Sequence, residues 1–318
     1  MPKSKGRKPK SATARRTTGR PRRRSNGYNP GALGIPVELI AKMLATAPPD
    51  QLVEMLPPML WLHHSSGMQA NLCVSAAITL HHAYDLIGIT SRPTAVDLAI
   101  SHRTRGPLTR YGAGGPTFDP ADNSFNGHCV LWLPGSGRWV DATVMQYPEA
   151  RASMPLPIIG RIGTSFGGSP AALEEFTQGR LVPGTHMAVP REELLLDYTV
   201  LAADDDFLAP ALDHDPVIAA SLRSSGINLA SAAIEWWRRP GIIERVRQAP
   251  YPRLHALLDT IGQAPVHRDD TETWFFETEP GHLDRLPAAS HPPRHRGHRL
   301  IKIPEESPDP AVTSDVER

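Results

Sequence analysis

Two apolar runs joined by the segment Pro-Gly-Ser-Gly constrain the fold of this chain more than any other feature of its 318 residues. The first run, HCVLWL, begins at His128, and the second, RWVDATV, begins at Arg138. Apolar runs of this length around a short glycine-containing loop predict a β-hairpin. With residues 134–137 as the loop, Leu133 pairs with Arg138, and side-chain alternation then decides which residues share a face.

The same register brings a histidine and an aspartate together on one face of the hairpin. His128 falls opposite Thr143, and Asp141 becomes its diagonal neighbour at about 7–8 Å between α-carbons, with a shorter distance between β-carbons. Two side chains can bridge such a gap. A loop one residue shorter or longer would send Asp141 to the opposite face, so the pairing depends on the turn.

A cysteine precedes the hairpin at a predicted helix N-terminus. Cys73 opens the stretch CVSAAITLHHAYDLIGI, whose apolar stripe predicts a helix to about Leu86 that ends near Gly88. Unpaired N–H groups and the helix dipole favour a thiolate or an oxyanion in such a first turn. A thiol nucleophile also needs an imidazole, and the imidazole needs an acceptor. The pattern predicts Cys73 as the nucleophile, His128 as its base and Asp141 as the group that orients His128.

These segments, in this order, resemble the transglutaminase-like core of the papain-like cysteine enzyme superfamily. In that core a cysteine begins a helix that ends in an "lGI" turn, a strand follows, and a His-led strand is joined by a short turn to a W-V-D-x-T strand. The corresponding segments here are NLCVSAAITLHHAYDLIGI, PTAVDLAI and HCVLWLPGSGRWVDAT. The resemblance covers residues 69–147, about a quarter of the chain, and carries the family's triad to Cys73, His128 and Asp141.

Some positions depart from that family pattern. Cys129 and Val130 follow His128, where the family usually has a small residue and an aromatic residue. Because Cys129 is adjacent to His128 in a predicted strand, its side chain should point to the other face, which argues against it as nucleophile. The oxyanion donor is not set by spacing: Gln69, four residues before Cys73, is one candidate, and the backbone N–H of Cys73 is the other.

The resemblance implies a cysteine-nucleophile hydrolase or acyltransferase, such as a protease, an amidase or a transglutaminase-like enzyme. It would act on an amide or ester through a thioester intermediate, with a peptide, a protein or a small amide or ester as the substrate. One alternative is an arylamine N-acetyltransferase-like enzyme, which shares the triad logic. Another is a catalytically inactive relative of the fold that serves as a binding module and whose basic arm binds nucleic acid.

The N-terminal 30 residues are predicted to be a disordered basic arm, because they contain almost nothing to bury. Residues 1–24 hold eleven Lys and Arg and no acid, leaving 23 basic residues against 33 acidic residues downstream. Such an arm binds phosphate non-specifically at low salt. The segment TTGRPRRRS also resembles the AT-hook core that binds the minor groove of A·T-rich DNA, which leaves open a selected nucleic-acid contact through four arginines: Arg20, Arg22, Arg23 and Arg24.

The rest of the chain predicts an α+β fold in three parts. Residues 31–202 are predicted to be a transglutaminase-like catalytic domain in which the helix bearing the cysteine packs on an antiparallel sheet. Residues 203–286 carry apolar stripes at helical spacing and predict a helical region, and residues 287–318 predict a disordered tail. Within the first domain, strands are expected at 93–100, 157–162, 185–189 and 194–201, and a long loop at 104–127.

Composition also bounds the location of the protein and its cofactors. Two cysteines in so long a chain exclude a disulfide framework. No uninterrupted apolar run approaches the roughly 18 residues of a membrane span, and the basic start lacks the apolar stretch of a signal peptide. We therefore expect a cytoplasmic protein that is not bound to a membrane. Because the histidine pairs at 63–64 and 81–82 lack an HExxH or CxxC pattern, no metal or cofactor is predicted.

Overall fold

The computed structural model describes residues 37–63, 72–112, 117–119, 124–153, 156–162, 179–201, 216–270, 273–280 and 282–286. Its fold class is α+β, with several helices and an antiparallel, nearly closed sheet. The helices are α1 (Val37–Thr46), α2 (Leu56–His63), α3 (Cys73–Leu86), α4 (Pro148–Ser153), α5 (Pro216–Trp237), α6 (Ile243–Val246) and α7 (Pro252–Ile261). Short 3-10 helices cover Pro49–Met55, Pro134–Ser136 and Val144–Gln146. The strands are β1 (Arg92–His102), β2 (Gly106–Tyr111), β3 (Thr117–Asp119), β4 (Ser124–Asn126), β5 (His128–Leu133), β6 (Arg138–Asp141), β7 (Ile158–Arg161), β8 (His186–Arg191), β9 (Leu194–Val200), β10 (Val266–Arg268), β11 (Trp274–Glu279) and β12 (His282–Asp284).

Seven strands form the main sheet in the order β7-β6-β5-β1-β9-β8, with β2 as an additional partner of β1. The long strand β1 pairs with β5 along its first half and with β2 along its second half. Arg191, the last residue of β8, donates to the carbonyls of Leu156 at 2.7 Å and Pro157 at 2.8 Å, directly before β7. Because the two ends of the sheet meet in this way, side chains from strands that are not neighbours can touch.

The hairpin of β5 and β6 has the predicted register. Leu133 pairs with Arg138, and Trp132 pairs with Trp139. The 3-10 turn and Gly137 form the loop, and Gly137 has a φ of 62°, a left-handed conformation that glycine adopts without steric cost. The sequence therefore predicted the loop and the register correctly, but β6 ends at Asp141 and the strand pairing ends at Leu131 and Val140, short of the predicted pair of His128 with Thr143.

Helix α3 begins at Cys73 and ends at Leu86, as predicted, and it packs on β5 and β1. On its other side it packs against α5. Gly226 of α5 makes this approach possible, because a β-carbon there would lie 2.5 Å from the β-carbon of His82. The cysteine helix is thus held between the sheet and α5.

One hydrophobic core extends from α1 to β11 and includes residues of α5 and α7. Its largest fully buried side chains come from several elements: Tyr84, Trp132, Trp139, Tyr198 and Trp237. Residues beyond 216 therefore share the core of the sheet. The predicted boundary between residues 31–202 and 203–286 stays a prediction, because residues 202–215 lie outside the described part of the chain.

The predicted long loop at 104–127 is wrong in part. Residues Gly106–Tyr111 form β2, and short strands β3 and β4 pair with each other. The sequence GPLTRY lacks an apolar alternation, and its residues are half-buried or exposed, because among the described strands β2 pairs with β1 alone. Its backbone hydrogen bonds to β1, rather than apolar burial, hold it in the sheet.

The predicted helical region at 203–286 is also only partly helical. Helices α5, α6 and α7 are present, but β10, β11 and β12 form a three-stranded antiparallel sheet after them. The aromatic residues of β11 explain the strand, because aromatic side chains favour a pleated, half-buried surface. Phe276 is buried in the core, and Trp274 packs against it.

Helix α5 is long and apolar enough to cross a membrane by length and composition, but 44% of its most apolar 18-residue window is buried within the fold. Core helices pass the same test, and α5 packs against α3 and α2. The predicted basic arm at 1–30 and tail at 287–318 lie outside the described residues.

Candidate active site

The first residue of β5 and the last residue of β6 form a buried ion pair. Nε2 of His128 lies 2.7 Å from Oδ2 of Asp141, and neither side chain has exposed surface. The predicted diagonal neighbours are thus in direct hydrogen-bond contact. Helix α2 supports the end of β6, because Trp61 donates its indole N–H to the carbonyl of Ala142 at 2.6 Å.

Both oxygens of the Asp141 carboxylate accept hydrogen bonds. Oδ2 also accepts from the hydroxyl of Tyr198 at 2.9 Å, across two intervening strands of the curved sheet. Oδ1 accepts from the backbone N–H of Thr143 at 2.8 Å and from its hydroxyl at 3.3 Å. Burial alone raises the pKa of Asp141, but the charge and hydrogen bond of His128, together with the hydrogen bonds of Thr143 and Tyr198, outweigh burial and hold that pKa below its ordinary value. Asp141 is therefore an ionised group with a fixed orientation.

The second ring nitrogen of His128 contacts a tyrosine. The hydroxyl oxygen of Tyr147 lies 2.9 Å from Nδ1, and the Tyr147 side chain is almost completely buried. The ring of Tyr147 stacks on Tyr111, with 3.8 Å between ring centroids. Tyr111 in turn donates its hydroxyl to Glu149 at 3.1 Å. This stack fixes the direction of the Tyr147 ring, so the imidazole is held at both nitrogens.

The structure brings Cys73 to the same place. As the first residue of α3, Cys73 is 2% exposed, and its Sγ lies 4.0 Å from the carbonyl oxygen of Gly127, the residue before β5. Cys73 also lies close enough to His128 to raise the pKa of the imidazole. The three residues predicted as a triad therefore converge at one end of the hairpin.

The charge state of the imidazole follows from these neighbours. Burial by itself lowers the pKa of His128, because it disfavours the imidazolium. The charge and hydrogen bond of Asp141, with a smaller contribution from Cys73, outweigh burial and raise that pKa to about 10. Burial, followed by the charge of Cys73, raises the pKa of Tyr147 well above its ordinary value. Near neutral pH the site holds an imidazolium between a carboxylate and a neutral phenol, beside the sulfur of Cys73.

The second cysteine lies on the other face of β5. Cys129 pairs with Ala95 of β1, whereas His128 pairs with Val96, so successive residues alternate between the faces. Cys129, Ala95 and Cys73 belong to one small cluster of buried side chains. Cys129 therefore packs beneath the start of α3, on the face of β5 opposite to the side chain of His128.

Other predicted site residues lie outside the described part of the chain. These are the candidate oxyanion residue Gln69 and the four arginines of the basic arm: Arg20, Arg22, Arg23 and Arg24. Among the described residues, no group of three or more His, Cys, Asp and Glu side chains is arranged to hold a metal ion.

Sequence reasoning missed two tyrosines of the site. Tyr198 belongs to β9, and nothing local to its position indicates that it reaches Asp141, because only closure of the sheet brings the two together. Tyr147 carries a weak signal, since it follows the W-V-D-x-T strand by four residues. A polar aromatic so soon after the predicted acid could have been included in the site.

Comparisons with known proteins identify no relative. No family model, no curated protein and no solved structure matches the chain.

Proposed function

We propose that this protein is a cysteine-nucleophile acyl-transfer enzyme with a transglutaminase-like or papain-like core. It would act on an amide or ester carbonyl through a thioester intermediate. The observation that carries the proposal is the convergence of Cys73, His128 and Asp141, with Nε2 of His128 bonded to Asp141. That bond leaves Nδ1, which also contacts the hydroxyl of Tyr147, as the nitrogen whose proton is shared with the sulfur and passed to the leaving group.

The proposed reaction begins from an ion pair in which Nδ1 of His128 already holds the proton lost by the Cys73 thiol. The resulting thiolate attacks the carbonyl carbon, and the carbonyl electron pair moves to oxygen to give a tetrahedral oxyanion. Collapse of this intermediate expels the amine or alcohol, which takes the proton from Nδ1, and leaves an acyl group on Cys73 as a thioester. Asp141 orients the ring and stabilises the imidazolium throughout.

Two donors are available for the oxyanion. The N–H groups of the first three residues of α3, from Cys73 to Ser75, have no intrahelical acceptor, whereas that of Ala76 donates to the carbonyl of Leu72. The second donor is the hydroxyl of Tyr147. Because the imidazolium form of His128 donates from both nitrogens, the oxygen of Tyr147 accepts from Nδ1–H, and its own hydrogen is available to the oxyanion. The raised pKa keeps this hydroxyl protonated.

The same site chemistry accommodates several acyl acceptors. Water as the acceptor would make the protein a protease or amidase, an amine a transglutaminase-like enzyme, and an arylamine an arylamine N-acetyltransferase-like enzyme. A second class of function is a binding module that lacks catalysis. The nearly complete burial of Cys73, His128 and Asp141 favours that class, because a substrate must reach the sulfur for any of these reactions.

A simple ester distinguishes the two classes. With p-nitrophenyl acetate as the probe, we expect release of p-nitrophenol and an acetyl group on Cys73, detected by peptide mass spectrometry. Cys73→Ser should abolish both signals, and the matched control Cys129→Ser should retain both. An unmodified Cys73 in the wild-type protein, or an equal loss of p-nitrophenol release in the two variants, would contradict the proposed enzymatic activity.

The Tyr147→Phe variant separates the role of the tyrosine from that of the triad. Removal of one oxyanion donor costs about 10²–10³-fold in turnover, so acylation by the ester should fall by that amount. Alkylation of Cys73 by iodoacetamide forms no oxyanion, and its rate should stay within about two-fold of wild type. An equal loss in both rates would instead assign Tyr147 to the positioning of His128.

A further inference from the structure

Three arginines line one cavity at the end of the hairpin away from His128. The cavity has a volume of about 700 Å³ and is bordered by Arg92 of β1, Arg138 of β6 and Arg161 of β7. The hairpin loop at 134–136 forms another part of its wall. Volumes of about 300–1,000 Å³ are typical of small-molecule sites, so a ligand of nucleotide size would fit.

Two of these arginines face each other across neighbouring strands. Arg138 and Arg161 are direct partners in the antiparallel pairing of β6 and β7. Side chains at such positions share a face, with β-carbons about 5 Å apart, and like charges directly opposite each other are destabilising. The fold therefore retains an unfavourable charge pair at the wall of an open cavity.

The nearby acids compensate this charge incompletely. Glu54 forms an ion pair with Arg138, but burial raises the pKa of Glu54 in spite of Arg138 and Arg161. Asp50 also lines the cavity, and its charge raises the pKa of Glu54 further. Arg161 is exposed, and its guanidinium has no hydrogen-bond partner among the residues that the structure describes. Among the described residues, the cavity wall thus carries three guanidinium groups and the carboxylate of Asp50, with Glu54 paired to Arg138.

We propose that this cavity binds a small molecule that carries a phosphate group, held between Arg138 and Arg161. A guanidinium presents a planar fork of donors that matches phosphate oxygens in a bidentate geometry. A bound phosphate would neutralise the facing charges that Glu54 alone cannot balance. Arg92, on the same cavity, would contact further anionic groups of the ligand.

This site is separate from the proposed active site. The loop lies past Leu133, and His128 is the first residue of the same strand, so the length of β5 separates them. At about 3.4 Å per residue that separation is roughly 17 Å. Phosphate binding in this cavity is therefore independent of acyl transfer at Cys73.

The experiment uses the full chain, inorganic pyrophosphate as the probe and the variant Arg161→Gln. Arg105→Gln is the matched control, because Arg105 is an exposed arginine in the turn between β1 and β2. We expect pyrophosphate to raise the Tm of the wild-type protein and of Arg105→Gln, but not that of Arg161→Gln. By calorimetry, Arg161→Gln should bind pyrophosphate about ten- to a hundred-fold more weakly, the loss expected for charged hydrogen bonds.

The same variants test, without pyrophosphate, whether Arg138 and Arg161 repel each other. In buffer free of phosphate, Arg161→Gln should have a higher Tm than the wild type, because it removes the repulsion from Arg138. Pyrophosphate on the basic arm does not raise the Tm if the arm binds it equally in the folded and unfolded states. A lower Tm for Arg161→Gln together with no pyrophosphate effect would overturn the proposal and make Arg161 a structural partner of Glu54. An equal Tm rise in sodium chloride of matched ionic strength, or an equal loss in Arg105→Gln, would also overturn it.

Discussion

The two ends of the β5–β6 hairpin differ in how their polar side chains are buried and paired. At one end, His128 and Asp141 are completely buried, and both nitrogens and both carboxylate oxygens are bonded. At the other end, Arg138 and Arg161 face each other beside an open cavity. A closed set of hydrogen bonds fixes side-chain orientation, which catalysis requires, whereas an uncompensated charge leaves room for a ligand. One short hairpin thus provides a preorganised site and a candidate binding site.

The largest loss of stability should come from breaking the buried ion pair of His128 and Asp141. Asp141→Asn leaves the charge of His128 buried without its partner, and loss of one partner of a buried ion pair costs about 3–5 kcal/mol in the free energy of unfolding. The matched control is Asp197→Asn, which breaks a His–Asp pair with His186 on the surface. Because that pair is largely exposed, its loss should cost less than about 1 kcal/mol. Urea unfolding measures both changes, and equal losses would contradict the distinction between buried and exposed pairs.

The buried ion pair should also make the free energy of unfolding depend on pH. His128 has a folded pKa raised from 6.5 to about 10, so its stabilising contribution is complete below pH 6.5 and is lost as the pH rises through 10. Within that window the folded state holds one more proton than the unfolded state, and the free energy of unfolding should fall by about 1.4 kcal/mol per pH unit.

Urea unfolding from pH 6.5 to 10 tests this slope, with His128→Gln as the comparison. The difference in unfolding free energy between wild type and variant should shrink as the pH rises. Asp141, whose folded pKa is lowered, contributes above its unfolded value and loses that contribution only as the pH falls through its folded value. A difference that stays constant over the window would mean that His128 is neutral in the folded protein.

The smallest effect concerns the loop that joins the two ends. Gly137→Ala places a β-carbon on a residue with a φ of 62° and should cost about 1–2 kcal/mol. Gly135→Ala is the matched control, because an added β-carbon there meets no heavy atom within 4 Å and its φ is not positive. This variant should be neutral or stabilising by up to about 1 kcal/mol, since alanine restricts the unfolded chain. Effects of the same sign in thermal unfolding would contradict the assignment of Gly137 as the left-handed residue.

Local signals account for the parts of the fold that the sequence predicted. The Pro-Gly-Ser-Gly loop gave the register of Leu133 and Arg138, and the apolar stripe with Gly88 gave the extent of α3. Both depend on residues close together in the chain. The contact of His128 with Asp141 follows from that register, because side-chain alternation places them on one face.

Long-range contacts explain what the sequence did not predict. Tyr198 reaches Asp141 only because the ends of the sheet approach each other through Arg191. Strand β2 has no apolar pattern, since pairing with β1 holds it. The strands after α7 depend on burial of Phe276 against a core built by distant residues. None of these interactions leaves a signal within a short window of sequence.

Selective alkylation of Cys73 tests the central claim of a thiol paired with His128 most directly. The folded protein is treated with iodoacetamide at pH 6, where an ordinary thiol holds less than about 1% thiolate, and the modification of each cysteine is followed by mass spectrometry. We predict that Cys73 reacts about a hundred-fold faster than Cys129, and that His128→Ala removes most of this difference. A Cys73 that stays unmodified, or that reacts no faster than Cys129, would contradict the proposed active site.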